Sequence, residues 1–369
     1  MKIAYVYDAV YPWVKGGAEK RVHELSRKLA GRGHEVHCYG MKWWPGEADL
    51  FKDGVYLHGV CRPMPLHSGK RRSVKEATYF AGKLLLSLKQ DCDLVDCQEF
   101  PYFPCFSARL LCSLKRSELF ITWHEIWGDY WYEYLGKRGI AGRWVEMAAS
   151  RLTERNIAVS EMTRMGLMEL GVKGARVVPN GMDFRSIEQV KASEKESDII
   201  YTGRLVSHKN VDLLIRAIGV VRRDVGDISA VIVGDGPEKD KLKALVHELK
   251  LEKNIEFTGF IDYDAALALM KSSGIFVSPS TREGFGMAAL EANACGLPVV
   301  TLRHRMNAVS DLVKDTGFVC EPTPESLADG IVKGLEAKSE MKERCRHTAE
   351  DYDWEKICDL AERVYRWSD

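Results

Sequence analysis

The strongest constraint on this chain is an alternation of short apolar runs with longer amphipathic stretches, sustained over most of its length. It opens with the run "KIAYVY", a glycine loop "KGGAEK", the helix-patterned "RVHELSRKLAGRG" and a second run "HEVHCYG". That order is a βαβ unit opening a parallel sheet. The runs "VYLHGV", "LVDC", "LFITWH" and "NIAVS" follow, with helices expected at 73–89, about 103–115 and 140–153. "VVPNG" closes this series with a turn. The polar stretch "MDFRSIEQVKASEKES" after it reads as an inter-domain linker. A second series then begins at "DIIYTGRL". It continues through a helix at 210–223, "SAVIVGDGP", a helix at 238–250, "IEFTGF", a helix at 262–272 and "IFVSPS". Two successive α/β series of similar size predict two doubly wound, Rossmann-like domains facing each other across a cleft, with residues 1–185 in the first and 186–350 in the second.

Composition excludes several alternatives. The 369 residues are 46% hydrophobic and 29% charged, ordinary globular values, and too many for one typical core. Basic and acidic residues balance at 53 each, so no global charge points to nucleic acid. The balance conceals an asymmetry: residues 1–190 hold 28 basic against 22 acidic residues, and the remainder holds 25 against 31. No start resembling a signal peptide and no apolar run near the roughly 20 residues of a membrane span is present, so a cytoplasmic protein is expected. The ten cysteines form no CxxC pair and no zinc spacing, and are expected as free thiols packed like small hydrophobes.

The chemistry-bearing residues gather at the ends of the predicted strands. "TREGFGMAALEANACGLPVV" (281–300) sets Glu283 and Glu291 eight apart around small apolar residues, with Gly284 and Gly286 at the helix entrance. Glu283 could simply favour the positive end of that helix; Glu291 has no such reason to be there. "GRLVSHKN" puts Arg204 and Lys209 in the loop after the first strand of the second series, where a fork and a point charge can clamp a diphosphate. Two more glycine-rich loops, "VGDGP" and "EGFG", lie at neighbouring strand ends, and one diphosphate would explain all three. "GGAEK" lets backbone N–H groups approach an anion, although a tight turn explains it equally well. It is neither GxGxxG nor a P-loop.

Together "GRLVSHKN", "VGDGPEKDKL", "FTGF", "SPSTREGFGMAALEANACGLPVV", "GGAEK", "LAGRGHEV", "VVPNGMD" and the terminal "YDWEKICDLAERVY" resemble the retaining glycosyltransferases of family 4, which have the GT-B fold. The resemblance implies a sugar transfer from a nucleotide-diphosphate sugar to a glycan or lipid-linked acceptor, with no metal required. It implies that residues 351–369 form a helix packing back on the first domain. Glu291 would bond ribose hydroxyls, Glu283 hydroxyls of the transferred sugar, and Arg204 and Lys209 the diphosphate. Gly16 and Gly17 would approach the same phosphates, and Gly203, Asp235, Gly236, Gly284, Phe285 and Gly286 would complete the donor site. His124, at the end of "LFITWH", would sit near the donor sugar; Glu125 and Asp129 are acceptor-side candidates. On a helix, eight residues turn about 80° beyond two full turns, which lets both glutamates serve one elongated ligand.

Some segments depart from the family or stay open. Many relatives carry Gly-Gly-x-Pro-Glu where this chain has "TLRHRMNAV". "DCD" (91–93) resembles a metal-binding DxD but precedes a short strand, and reads as strand-start acids. Trp127 and Trp131 are four apart, either one helix face in the core or a stacking platform for sugar. Residues 70–89 hold Lys70, Arg71, Arg72, Lys75, Lys83 and Lys89 against Glu76, beside Ala77, Phe80, Leu84, Leu85 and Leu88. That pattern fits a core-facing helix with a solvated basic side, or a patch that docks on anionic lipid headgroups. A nucleotide-sugar epimerase of similar fold, or a non-catalytic nucleotide-sugar-binding subunit, are the alternative functions.

Overall fold

The computed structural model describes residues 1–68, 71–87 and 90–366. They form two compact units: Met1–Gly181 with Trp354–Asp369, and Met182–Asp353.

The first unit is built on an eight-stranded sheet of β1 (Lys2–Val6), β2 (Glu35–Met41), β3 (Asp49–Lys52), β4 (Val55–Cys61), β5 (Leu94–Gln98), β6 (Glu118–Trp123), β7 (Asn156–Ala158) and β8 (Arg176–Val177). Their order is β8-β7-β6-β5-β1-β2-β4-β3. All neighbours pair in parallel except β3, which folds back antiparallel on β4 at the sheet edge. Strands β1 and β5 are buried along nearly their whole length, as the continuous apolar runs require of a sheet covered on both faces. The chain builds outward from β1 through β2 and β4, then restarts at β5 on the other side. The β1/β5 junction is therefore the switch point, where the carboxyl ends of strands open a crevice.

Helix α1 (Gly17–Gly31) returns the chain from β1 to β2. Val22, Leu25 and Leu29 recur on its buried face, and Gly33 at φ +88° ends it with an N–H to Ala30. Helix α2 (Val74–Ser87) buries Ala77, Phe80 and Leu84, and α3 (Phe103–Lys115) packs beside it. The last helix of this unit, Trp354–Tyr365, buries Trp354, Ile357, Cys358, Ala361, Val364 and Tyr365. Its Glu355 pairs with Lys28 at 2.6 Å and Arg32 at 2.8 Å, both on α1.

The second unit holds a six-stranded parallel sheet of β9 (Ser197–Thr202), β10 (Ala230–Val233), β11 (Ile255–Gly259), β12 (Ser273–Ser278), β14 (Val299–Leu302) and β16 (Gly317–Cys320), ordered β11-β10-β9-β12-β14-β16. Two two-residue strands, β13 (Arg282–Glu283) and β15 (Met306–Asn307), pair in parallel beside it. The switch point lies between β9 and β12. The stretch read from sequence as a linker starts with a short helix, Phe184–Gln189. Asp183 caps it by accepting from the Ser186 N–H at 2.9 Å, and Phe184 and Ile187 are buried. Two buried side chains in a polar run are too few to show as periodicity. All ten cysteines are buried and free.

Candidate active site

In the second unit, the loop after β9 carries Arg204 and a 3-10 turn, Ser207–Lys209, that ends on Asn210 in the left-handed region (φ +46°). Asn210 donates from its amide to Pro279 O at 3.1 Å and Thr281 Oγ1 at 3.2 Å; the Thr281 N–H donates to His208 O at 3.1 Å. These bonds tie the loop after β9 to the loop after β12. They bring the Lys209 ammonium onto the Glu283 carboxylate, which also accepts from Ser280 Oγ at 3.3 Å. Lys209 and Glu283 are 18% and 21% exposed, so the pair is accessible yet partly shielded from water. Arg204 is exposed on the same loop. Both Arg204 and Glu283 act on the buried Tyr201 hydroxyl: burial raises its pKa, Glu283 adds to the rise and Arg204 opposes it.

The glycine loops have a reason of their own. A Cβ on Gly234 would lie 1.9 Å from Gly203 O, and one on Gly236 would lie 2.3 Å from Leu205 O. Leu205 N–H donates to Asp235 O, and Glu238 N–H to Leu205 O. Close packing of two backbones therefore already demands glycine at 234 and 236, before any ligand is considered. Asp235 is exposed, accepting from Lys239 Nζ at 2.6 Å and from the Gly236 N–H at 2.8 Å.

Glu283 lies on β13, outside the helix; the helix α4 runs Met287–Ala294, so the eight-residue spacing is not a helical phase. Gly286 caps this helix at φ +98°, where a Cβ would also lie 2.3 Å from Val309 Cγ2. Gly284 precedes it, and Phe285 is buried with its ring edge-on to Tyr352. Glu291 is half-buried and does have a protein partner: Tyr263 Oη donates to its Oε1 at 2.8 Å. Tyr263 comes from a distant helix, which is why the sequence hid it. The departure "TLRHRMNAV" also acquires a role. Its Met306–Asn307 pairs with Arg282–Glu283, and the Ala308 N–H donates to Glu283 O at 2.8 Å, fixing the backbone under the carboxylate.

In the first unit, His124 follows β6 directly and is half-buried. Its Nε2 lies 2.9 Å from Gln98 Oε1, on the end of β5. Burial, aided by the Arg21 charge, pushes its pKa down to about 3, so the imidazole is neutral. Glu99, 1% exposed at the switch point, faces the backbone N–H groups of His124 and Glu125; burial raises its pKa far above the usual range. Gln98 and Glu99 carried no sequence signal beyond their place at a strand end. Glu125 accepts from the Trp127 indole at 2.6 Å, and Asp129 pairs with Arg143 at 2.8 Å on the surface. Trp127 and Trp131 are 7% and 6% exposed with rings 4.5 Å apart, members of the core and no stacking platform. Gly16 and Gly17 are exposed at the start of α1. "DCD" sits at the start of β5, where Asp93 accepts from the Lys2 N–H at 2.7 Å and Asp91 pairs with Lys115 at 3.1 Å. No cluster of three or more metal-ligating side chains occurs among the described residues.

Two parallel, doubly wound units, each with polar side chains at its switch point, define the class: a sucrose-phosphate synthase from Thermosynechococcus elongatus has the same GT-B fold, with a TM-score of 0.79 over 99% of this chain and 98% of that one at 19% identity. Residues 15–185 match the model of Glycosyltransferase Family 4 and residues 183–352 that of Glycosyl transferases group 1. The chain thus belongs to the family 4 glycosyltransferases and is a glycosyltransferase. Similar proteins include the phosphatidylinositol N-acetylglucosaminyltransferase gpi3 subunit of Schizosaccharomyces pombe (24% identity, 98% of this chain and 79% of that one). Another is the alpha-monoglucosyldiacylglycerol synthase of Streptococcus pneumoniae (24% identity, 93% and 80%).

Proposed function

We infer that the protein moves a sugar from a nucleotide-diphosphate donor to a lipid-linked or glycan acceptor with retention at the anomeric carbon. The observation that carries this is the Lys209–Glu283 pair at the switch point of the second unit, with Arg204 on the same loop. Arg204 and Lys209 hold the diphosphate and offset the charge that grows on it as the glycosidic bond breaks. Glu283 meets hydroxyls of the transferred sugar, and Glu291, set by Tyr263, meets the ribose. The bond from the anomeric carbon to the diphosphate breaks, a bond to the acceptor oxygen forms on the same face, and the acceptor proton leaves on the nucleotide. His124 accepts a hydrogen bond from a substrate hydroxyl. On this reading the chemistry needs no resident metal, because Arg204 and Lys209 supply the positive charge for the diphosphate. EDTA should leave turnover unchanged; loss restored by Mg²⁺ or Mn²⁺ would contradict that.

The two relatives named above for lipid products favour a lipid-linked acceptor, and with such an acceptor goes peripheral contact with an anionic membrane as part of the proposal. No described helix is long and apolar enough to cross a membrane. Of the basic stretch, Lys70, Leu88 and Lys89 lie outside the described residues. Arg72 is spent on Asp8 and Glu76, and Ala77, Phe80 and Leu84 are core. Arg71, Lys75 and Lys83 remain exposed, beside exposed Val74, Leu85 and Leu86. On the adjoining α3, Phe106, Leu110 and Leu114 form an exposed stripe at four-residue spacing. Three engaged cations contribute about 1 kcal/mol each near an anionic surface. Co-sedimentation with anionic but not neutral vesicles, lost in an R71S/K75S/K83S variant, is expected. Wild type left in the supernatant at low salt would remove the membrane reading. The donor is found by thermal shift against a panel of nucleotide sugars, because a ligand that binds only the folded state raises the melting temperature.

A further inference from the structure

Behind His124 runs a chain of hydrogen bonds whose directions are all determined. Tyr365 Oη donates to Asp96 Oδ2 at 2.6 Å. Its proton being spent, it accepts from Tyr5 Oη at 3.0 Å. Thr122 Oγ1 donates to Asp96 Oδ1 at 2.8 Å, and Gln98 Nε2 donates to the same oxygen at 3.2 Å. Asp96 is 2% exposed, and its Oδ1 takes the protons of both Thr122 and Gln98, so that oxygen is an acceptor only. That fixes the Gln98 amide: its nitrogen faces Asp96, and its oxygen must face His124. An amide oxygen can only accept, so the 2.9 Å contact requires the proton of His124 to be on Nε2. Nδ1 is left with its lone pair.

We propose that Gln98, Asp96 and Tyr365 are positioning residues that lock His124 as the Nε2–H tautomer, so that Nδ1 is a pure acceptor for a substrate hydroxyl. This rests on His124 acting in transfer, as set out above. Burial keeps the ring from taking up a second proton, so the lock is on a neutral group. Asp96 is opposed in its charged form by burial and supported by Tyr365, Thr122, the Arg21 charge and Gln98. The helix Trp354–Tyr365, at the far end of the sequence from β5, therefore reaches the catalytic strand ends through its last described turn.

The test uses the whole protein with ¹⁵N-labelled histidine, the His124 signals being assigned by their loss in His124→Ala. Wild type should show the pure Nε2–H pattern. Asp96→Asn, isosteric, lets the Gln98 amide turn over and should shift His124 toward the Nδ1–H form; Gln98→Met should give a mixture. Both should lower kcat at least about tenfold with donor KM little changed, as expected when an imidazole loses its working tautomer. In the His124→Ala background the same changes should cost nothing further, because they act through His124. Unaltered tautomer signals in Asp96→Asn and Gln98→Met, or losses that add to that of His124→Ala, would overturn the proposal. Wild-type turnover in His124→Ala would instead overturn the role of His124, and leave the tautomer measurement standing.

Discussion

Lys209 and Glu283 show how much one pair can carry. Each is the other's counter-ion, and in the proposed mechanism each has a separate task once a donor is bound. On that reading, removing Lys209 takes a cation from the diphosphate and leaves Glu283 without its counter-ion. Lys209→Ala is therefore expected to cut turnover at least about tenfold with the fold intact, and Arg204→Ala to do the same. Near-wild-type turnover in a folded double variant would count against the clamp. His124 adds a pH dependence. The unfolded chain takes up a proton near 6.5, but the folded one resists it down to about 3. Stability from this group is complete above 6.5 and is lost as pH falls through that interval, by up to about 1.4 kcal/mol per unit. Urea unfolding at pH 7.5 and 5 should show a smaller drop for His124→Asn than for wild type; equal drops would rule out this contribution.

Among the elements, α2 illustrates what a pattern can reveal and what it conceals. Its apolar spacing puts Ala77, Phe80, Leu84 and Leu85 on one face; the first three are core and Leu85 is exposed, and the run of cations gives no hint that Arg72 is withdrawn from the surface. It pairs with Asp8 and Glu76, each 0% exposed, which approach it from the loop after β1 and from the first turn of α2. Burial first, then the Asp8 charge, pushes Glu76 up to about 9 against the pull of Arg72. Glu76 keeps its proton in the fold where the unfolded chain has released it. Its contribution is full below about 4.5 and lost as pH rises towards 9. Glu76→Gln should thus raise the melting temperature at pH 8 relative to wild type, and much less at pH 5. Equal shifts at both would show that Glu76 is charged throughout. The βα loops gave a different lesson. Gly234 and Gly236 were read as phosphate cradles, yet the strand-end loops need them for their own packing. Gly236→Ala should lower stability by forcing Leu205 aside, and should weaken donor binding with it.

At the scale of the whole molecule, the two α/β series were legible because buried parallel strands are written as continuous apolar runs, and the helices between them as amphipathic ones. The antiparallel β3, the two-residue strands β13 and β15 and the helix Phe184–Gln189 were not, being too short to show a period. The site divided in the same way. Residues on one loop, such as Arg204 and Lys209 or Glu283 and Gly286, could be read together. Tyr263 under Glu291, and Asp96 and Tyr365 behind His124, come from distant stretches that only the fold brings together. What the proposed mechanism asks of these residues is retaining transfer from a nucleotide-diphosphate sugar. Proton NMR of the anomeric signals tests this most directly, recorded from the first minutes of reaction with the donor selected by thermal shift. The expected result is a first-formed product with the anomeric configuration of the donor, appearing in step with free nucleotide, and suppressed in Lys209→Ala. A first-formed product of inverted configuration, or an epimerised nucleotide sugar with no nucleotide released, would contradict it.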